Sequence, residues 1–287
     1  MFFNILDTQK RGRAQIIIIR RQMLLERRLR RKMKELLNHQ FMVIAKHAEQ
    51  GIFDVEHTID SLRGYMLKAL SEQYTRIGGN FFSWVQTSYL KNKSGHRKSI
   101  EPIESKINWN EGAAGAAAGA IPPTTGMAAE FWRAFNIWTL KQTAQKVSEI
   151  GKTTKKILRK TIQDSINEGA SYKVVADNIM EKAKEINKNR AMKIARTEVH
   201  AAATYAVDES VKSTRVKFER IWTSILDERT REDHKIVDGQ SREMNEPFDV
   251  GGENLMFPGD PSGSPGNVIN CRCILTYKNK DLQRYFD

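Results

Sequence analysis

Cysteine is scarce in this chain, and long apolar runs are absent. The 287 residues include only two cysteines, Cys271 and Cys273, which excludes a disulfide framework and suits a reducing compartment. No run of about 18 apolar residues occurs, and the first residues carry their charges after the apolar positions without a small-residue cleavage motif. We therefore expect neither a membrane-spanning segment nor a secretory signal peptide.

Acidic residues are too few to balance the basic ones. Asp and Glu number 34 against 47 Lys and Arg, which gives a formal net charge of +13. A summed field of this sign attracts polyanions at long range. Nucleic acid is the first candidate partner and an anionic membrane surface is the second, while the 40% hydrophobic content predicts a globular protein.

The charge imbalance is greatest near the N-terminus. Between Lys10 and Lys34 eleven basic residues accompany a single acid, Glu26. Apolar residues recur there at the spacing of a helix face, which predicts a long amphipathic helix with a cationic side. Its predicted apolar stripe is Leu25, Leu29, Met33, Leu36, Leu37, Phe41 and Ile44. The four isoleucines at 16–19 are also compatible with a strand, because β-branched residues favour that conformation.

The cationic side of this predicted helix has two interpretations. It is either a solvated charged face over a core, which is the usual meaning of a charge run, or a surface that contacts phosphates. Without aromatic residues between the cations for base stacking, such contacts would be indifferent to nucleotide sequence. The residues assigned to DNA or another anionic partner are Arg20, Arg27, Arg28, Arg31 and Lys34.

The sequence pattern predicts a mainly α protein with four regions. A basic helical region (1–108) precedes an Ala/Gly/Pro-rich linker or mobile loop (109–130), a helical middle domain (131–215) and a small α+β module (216–287). Long helices are expected in the N-terminal and middle parts. Glycines at 78–79, 151 and 169 are predicted to end helices, and Ser171 to cap the next one.

The helix predicted at about 189–211 carries several polar residues among its alanines. Glu198 and His200 are conceivable as an acid/base pair. The alternative is a buried or interfacial cluster that orders this helix against the C-terminal part, and we favour it because no nucleophile or glycine-rich loop accompanies the pair.

The C-terminal module is predicted to contain a few short strands and a long ordered loop. "VKFERIWTSIL" and "CRCILTY" alternate like strands. Between them, Thr230 is predicted to cap a short helix that contains Asp233 and ends at Gly239. Residues 245–267, which hold four of the seven prolines, form the long loop.

The two cysteines point to a metal site. If they lie in a strand, residues two apart face the same side, so both sulfurs would converge on one point. His234 is the nearest imidazole, and Asp227, Asp233 and Asp260 are candidate oxygen donors for zinc. Two alternatives stay open: both thiols pack as small apolar groups, or they form a strained disulfide.

An ordered set of motifs makes the sequence recognisable. "IARTE" (194–198), "WTSILDERTREDH" (222–234), "DG" (238–239), "PGDP" (258–261) and "NCRC" (270–273) resemble the phage minor head protein family typified by the F protein of phage Mu and the gene 7 product of phage SPP1. The resemblance spans about residues 170–278. Its motif residues are Arg196, Thr197, Glu198, Asp227, Arg229, Thr230, His234, Gly239, Asn270 and Arg272.

The resemblance implies a minor capsid or head-morphogenesis protein of a tailed phage, with a structural role rather than an enzymatic one. It implies a location inside the phage head, and in the bacterial host cytoplasm during assembly. The expected partners are the portal protein, the major capsid or scaffold protein and, non-specifically, packaged double-stranded DNA; no membrane is expected.

The resemblance also bears on zinc as a cofactor. Many relatives carry a cysteine pair in the region of "RTREDH" and a histidine just before "NCRC", which together would complete a zinc site. In this chain Arg231 and His234 occupy the first region, and residues 266–269 include no histidine. The expected remnant is His234, Cys271 and Cys273, with Asp227 as a further candidate ligand.

Two other function classes remain as alternatives. A metal-dependent nuclease could use Asp233–His234 and Asn270 as a reduced His-Asn-His site, with Glu198 or His200 as acid or base, although the second metal-binding histidine is missing after Asn270. A host-derived nucleic-acid-binding protein would show an affinity that falls steeply with salt.

Overall fold

Long helices make up most of the protein. The computed structural model describes residues 8–93 and 126–280. The long elements are α1 (Thr8–Glu49), α3 (Arg63–Lys93), α4 (Gly126–Asn167) and α5 (Tyr172–Lys212), with a short α2 (Val55–Ser61) between the first two. The prediction of a mainly α protein with long N-terminal and middle helices is confirmed.

The C-terminal module contains the strands. Its elements are β1 (Phe218–Thr223), α6 (Glu232–Ile236), β2 (Ser241–Glu243), β3 (Phe248–Val250), β4 (Glu253–Leu255), α7 (Pro265–Val268) and β5 (Ile274–Asn279). An antiparallel sheet has the order β2-β1-β5, and β3 pairs with β4 as a hairpin inside the predicted long loop. Thr223 of β1 lies opposite Ile274, and Phe218 opposite Asn279.

The chain divides into two compact units. One comprises 1–25, 74–138 and 197–287, and the other 26–73 and 139–196. The four predicted regions remain a proposal. Of the predicted linker, residues 109–125 lie outside the described residues, whereas residues 126–130 begin α4.

The α1 helix has the predicted amphipathic character. Leu29, Met33 and Leu37 are at most 1% exposed, and Phe41 and Ile44 join a core cluster with α4 and α5 residues such as Leu158 and Ile179. Residues 16–19 are helical. The strand alternative is therefore wrong, because a helix that extends on both sides of the isoleucines outweighs their β propensity.

Two predicted helix ends are wrong. Helix α3 continues through Gly78 and Gly79, and α4 continues through Gly151. At Gly78 an added Cβ would lie 2.3 Å from Cε1 of Phe135, so this glycine provides room for an aromatic ring rather than a helix end. Gly169, by contrast, lies two residues after the end of α4, and its φ is +71°. The Ser171 hydroxyl then accepts the amide of Val174, as predicted for a cap.

Aromatic residues anchor the long loop of the module to the helices of its own unit. Trp138 of α4 stacks on Tyr205 of α5 with ring centroids 4.7 Å apart, and Tyr205 contacts Phe257 of the loop at 5.7 Å. Aromatic pairs of this kind contribute stability beyond that of the apolar area they bury. Across residues 8–93 and 126–280, none of the helices combines the length and apolar character that crossing a membrane requires.

Candidate metal centre

One histidine and both cysteines converge in the interior of the C-terminal module. The ligand atoms of His234, Cys271 and Cys273 lie within 4.8 Å of one another, and all three residues are at most 3% exposed. His234 Nδ1 is 3.3 Å from Cys273 Sγ and 3.8 Å from Cys271 Sγ. The three residues that the sequence predicted as a metal-site remnant are therefore close together.

His234 is presented by the short helix α6, but the predicted cap is wrong. The N-cap residue is Arg231, whose side chain makes no capping bond. The Thr230 hydroxyl is engaged elsewhere, because it accepts the amide of Asp227 at 3.1 Å and donates to Asp227 Oδ1 at 3.2 Å. Thr230 thus closes the turn before the helix instead of starting it.

The two cysteines precede strand β5 rather than lying in it. Strand alternation is therefore the wrong explanation for their convergence, although the convergence itself is present. Just before them, Asn270 has a φ of 58°, and its amide donates to the Thr197 hydroxyl of α5 at 3.3 Å. Asparagine tolerates this left-handed conformation better than most residues.

Residues at the end of β1 orient the histidine. The indole of Trp222 packs edge-on against the imidazole of His234, with ring centroids 5.6 Å apart. The Ser224 hydroxyl lies 2.6 Å from the carbonyl of His234 and 3.3 Å from Cys273 Sγ. The imidazole is thus fixed with Nδ1 towards the sulfurs.

The thiols differ in acidity. The hydrogen bond from Cys271 lowers the pKa of Cys273 to about 4, helped by His234 and Ser224 and opposed by burial. The same hydrogen bond and burial raise the pKa of Cys271 well above its ordinary value. One thiolate is therefore formed at neutral pH, and a metal would displace the second proton.

The donor set fits a zinc-type ion. Bond lengths of about 2.3 Å to sulfur and 2.0–2.1 Å to nitrogen place tetrahedral ligands roughly 3.6 Å apart. The separations of 3.3 and 3.8 Å from His234 to the two sulfurs bracket that value. Two thiols and an imidazole are also the ligand types that zinc prefers.

Two of the three aspartates proposed as oxygen donors have other partners, and the third lies outside the cluster of ligands. Asp227 accepts both guanidinium nitrogens of Arg272 at 2.6 Å, and these bonds lower the pKa of Asp227 below its usual range. Asp260 accepts the amides of Met256 and Ser262. Asp233 lies beside Gly251. None of them belongs to the convergent cluster among the described residues.

Two arginines tie the segments of the centre together. Arg272, which lies between the two cysteines, forms an ion pair with Asp227 in the turn after β1. Arg231 donates to the carbonyls of Asn267 and Ile269. These bonds link the turn before α6 to the segment that carries both cysteines.

Two polar residues of α5, Glu198 and His200, have different partners. Glu198, 3% exposed, accepts the phenol of Tyr74 at 2.5 Å. His200 is buried, and its Nδ1 lies 3.4 Å from Nε2 of Gln22. The interpretation as a buried, ordering cluster therefore describes them better.

The predicted anionic-partner residues all lie on α1 with exposed side chains. Among the described residues they form no ion pair, whereas Glu26 on the same helix pairs with Arg196 at 3.4 Å. These exposed cations are Arg20, Arg27, Arg28, Arg31 and Lys34. Arg229, the exposed motif arginine, lies in the C-terminal module and is separate from this face in the chain.

Sequence reasoning missed a buried ion pair beside the sheet. Arg220 of β1 is 0% exposed and lies 3.5 Å from Asp208 of α5. It also donates to the carbonyls of Glu243 and Met256. The spacing could have predicted this burial, because Arg220 lies between Phe218 and Trp222 on the same face of the strand.

Comparison with known proteins agrees with these motifs. Residues 156–276 match the family model of the Phage Mu protein F like proteins. The resemblance predicted from the ordered motifs is thus confirmed over these residues.

Two curated relatives are similar to part of the chain. The Minor head protein GP7 of Bacillus phage SPP1 is 29% identical over 126 residues, or 40% of this chain and 38% of the relative. The Uncharacterized protein YqbB of Bacillus subtilis (strain 168) is 28% identical over 142 residues, or 48% of this chain and 46% of the relative. The chain thus matches less than half the length of either relative. No solved structure matches it significantly.

Proposed function

We propose that this chain is a minor capsid and head-morphogenesis protein of a tailed phage, with its place in the virion, inside the head. The observation that carries the proposal is that the motifs of the resemblance, on α5 and in the C-terminal module, contact one another. The hydroxyl of Thr197 accepts the amide of Asn270, and the carboxylate of Asp227 accepts the guanidinium of Arg272. Nδ1 of His234 contacts the sulfur of Cys273. The printed name of the SPP1 relative, a minor head protein, supports the same role.

The proposed role of the module is structural. Its metal centre, loaded with zinc, would cross-link α6 to the segment before β5 in addition to the Arg272–Asp227 clip. Structural metal sites contribute folding free energy directly. Zinc in this role is therefore a stabilising cofactor of the proposed head protein.

The portal protein is the main proposed partner, with the major capsid or scaffold protein as a second. Packaged double-stranded DNA is a further, non-specific partner of α1. The exposed cations of α1 support this because they have no acidic partners among the described residues, and neutralising phosphates would release condensed counterions.

Purified heads of the phage that encodes the chain would test the location. The expected result is that the protein is present in DNA-filled heads, resists added protease, and becomes sensitive once the heads are opened. Cross-linking in the same heads should join it to the portal protein. Its absence from intact heads would refute the proposed role.

DNA contact can be tested with charge-matched variants. Replacing Arg20, Arg27 and Arg31 by Ala should weaken binding to a duplex of any sequence and reduce the slope of log K against log salt by about 3. The control replaces Lys160, Lys182 and Lys184 by Ala. Each of these lysines already pairs with a carboxylate, at 3.0, 2.8 and 3.1 Å respectively. Equal losses in both variants would assign the effect to net charge and contradict a specific role of α1.

A metal-dependent nuclease remains the second candidate function. The observation in its favour is that His234, Asn270 and Arg229 line one small cavity. Such a site would need a general base, and of the two predicted ones Glu198 accepts a hydrogen bond from Tyr74 and His200 is buried.

A further inference from the structure

A small cavity adjoins the three candidate metal ligands. Its volume is about 20 Å³, which is room for roughly one water molecule. It opens beside His234, Cys271 and Cys273. The remaining wall consists of Ile225, Arg229, Thr230, Arg231, Asn270 and Arg272.

The protein supplies three ligands next to this cavity. In the part of the chain that the structure describes, no fourth His, Cys, Asp or Glu joins the cluster. Asp227 is near in sequence, but Arg272 engages both of its carboxylate oxygens. A tetrahedral ion held here would therefore have one position left over, which is the pattern of a reactive rather than a closed zinc site.

The walls of the cavity favour negative charge. A divalent ion with two thiolates and a neutral imidazole has no net charge. Arg231 donates to two main-chain carbonyls and has no ion pair among the described residues. Arg229 is 78% exposed and lies 4.0 Å from Asp227, whose carboxylate Arg272 already neutralises. The charge left around the cavity is thus positive.

We propose that the Cys271–Cys273–His234 centre is a three-ligand metal site whose fourth position takes a single solvent-derived atom, exchangeable for a small monovalent anion. This inference rests on the metal binding proposed above and gives that site a binding capacity beyond cross-linking. The small cavity limits the ligand to one donor atom inside the protein. The arginines select an anion over a neutral ligand.

Cobalt(II) provides the test, because its visible spectrum reports both thiolate ligation and coordination number. The full chain, stripped of metal under reducing conditions, is titrated with cobalt and then with sodium azide. We expect one cobalt per chain with sulfur-to-cobalt charge-transfer bands, followed by a saturable change of the d–d bands on adding azide.

Matched variants locate the anion. Arg229→Ala should weaken azide binding roughly two- to fivefold, because it removes one positive charge from the cavity wall. Arg215→Ala removes an equally exposed arginine, also 78%, that does not line the cavity, and should leave azide affinity unchanged. His200→Gln should retain both spectra, because His200 is not among the three ligands.

The outcomes separate the inference from the metal site itself. If cobalt binds one per chain but azide leaves the spectrum unchanged, the site is closed and the inference is wrong while the metal site stands. Loss of the cobalt bands in His200→Gln would identify His200 as the fourth ligand and also overturn the inference. If no cobalt binds, the proposed metal site fails and the inference fails with it.

Discussion

Arg220 and Asp208 form an ion pair that is almost excluded from solvent. Their side chains are 0% and 1% exposed, and Arg220 Nη1 lies 3.5 Å from Asp208 Oδ2. The phenol of Tyr277 donates to the other oxygen of Asp208 at 3.1 Å. The pair thus joins α5 to the two long strands of the sheet.

Removing the arginine alone should be costly. We expect Arg220→Met to lower the free energy of unfolding by about 3–5 kcal/mol. It removes the fully buried cation beside Asp208 and the donor to the carbonyls of Glu243 and Met256, and leaves the half-buried Lys212, 3.0 Å from Asp208, as the remaining cation. Urea unfolding followed by circular dichroism measures this. Arg215→Met, which breaks an exposed pair with Glu130, is the control and should change stability by less than about 1 kcal/mol. Equal effects of the two variants would contradict a special role for the buried pair.

The left-handed backbone at Asn270 makes a second prediction. Asn270→Ala should destabilise the protein by about 1 kcal/mol, because a Cβ without a local polar group disfavours this conformation. Asn270→Gly, which adopts a φ of 58° readily, should be close to neutral. Thermal melting of the two variants distinguishes them, and an equal loss in both would mean that the side chain rather than the backbone matters.

Stability should fall in mild acid because of His200. Burial lowers the pKa of His200 to about 4, whereas an unfolded histidine titrates near 6.5. Between these values the unfolded state takes up a proton that the folded state refuses, so stability is lost as pH falls from about 6.5 to 4. The loss attributable to His200 is about 3 kcal/mol in total.

The measurement is urea unfolding of the metal-free protein at several pH values. His200→Gln should show a shallower slope across this window. The low pKa of Cys273 adds a slope of the same sign from about 4 to 9, and that part should persist in the variant. His57→Gln, which changes an exposed histidine, controls for the substitution. An unchanged slope in His200→Gln would count against a neutral, buried His200.

Zinc should raise the unfolding temperature of the wild-type protein. Binding to the folded state alone stabilises it by about 2.7 kcal/mol when free zinc is 100 times its dissociation constant. Metal analysis should find about one zinc per chain. Cys271→Ser/Cys273→Ser should lose both the ion and the thermal response, while His57→Gln retains them. If the wild-type protein binds no zinc and the double variant melts almost unchanged, the two thiols are packing residues only.

Plasmid DNA should remain intact with this protein. We expect no nicking over hours in manganese, magnesium or zinc, since among the described residues no carboxylate belongs to the cluster that could activate water. Nicking that disappears in His234→Ala and persists in His57→Gln would establish the nuclease alternative instead.

The sequence predicted those parts of the structure that depend on local periodicity. The stripe of α1 and the strand around Trp222 follow from side chains at fixed spacing. Gly78 was misinterpreted, because the reason for that glycine is the ring of Phe135, far away in the chain.

The candidate site, too, could be predicted from the sequence only in part. The cysteine pair and His234 were identifiable from residue type alone. The partner of Asp227 was not, because its bond to Arg272 joins residues 45 positions apart. Only the folded chain shows that this carboxylate serves an arginine rather than a metal.

The register of the sheet places the candidate metal centre at one end of the β1–β5 strand pair. Cys273 is followed at once by Ile274, which pairs with Thr223 at one end of β1 and β5. At the opposite end, the amide of Lys280 donates to the carbonyl of Lys217 at 3.0 Å. Loss of the metal should therefore let the two strands separate from the cysteine end. In hydrogen exchange, amide protection should be lost first at Ile274 and last near Asn279.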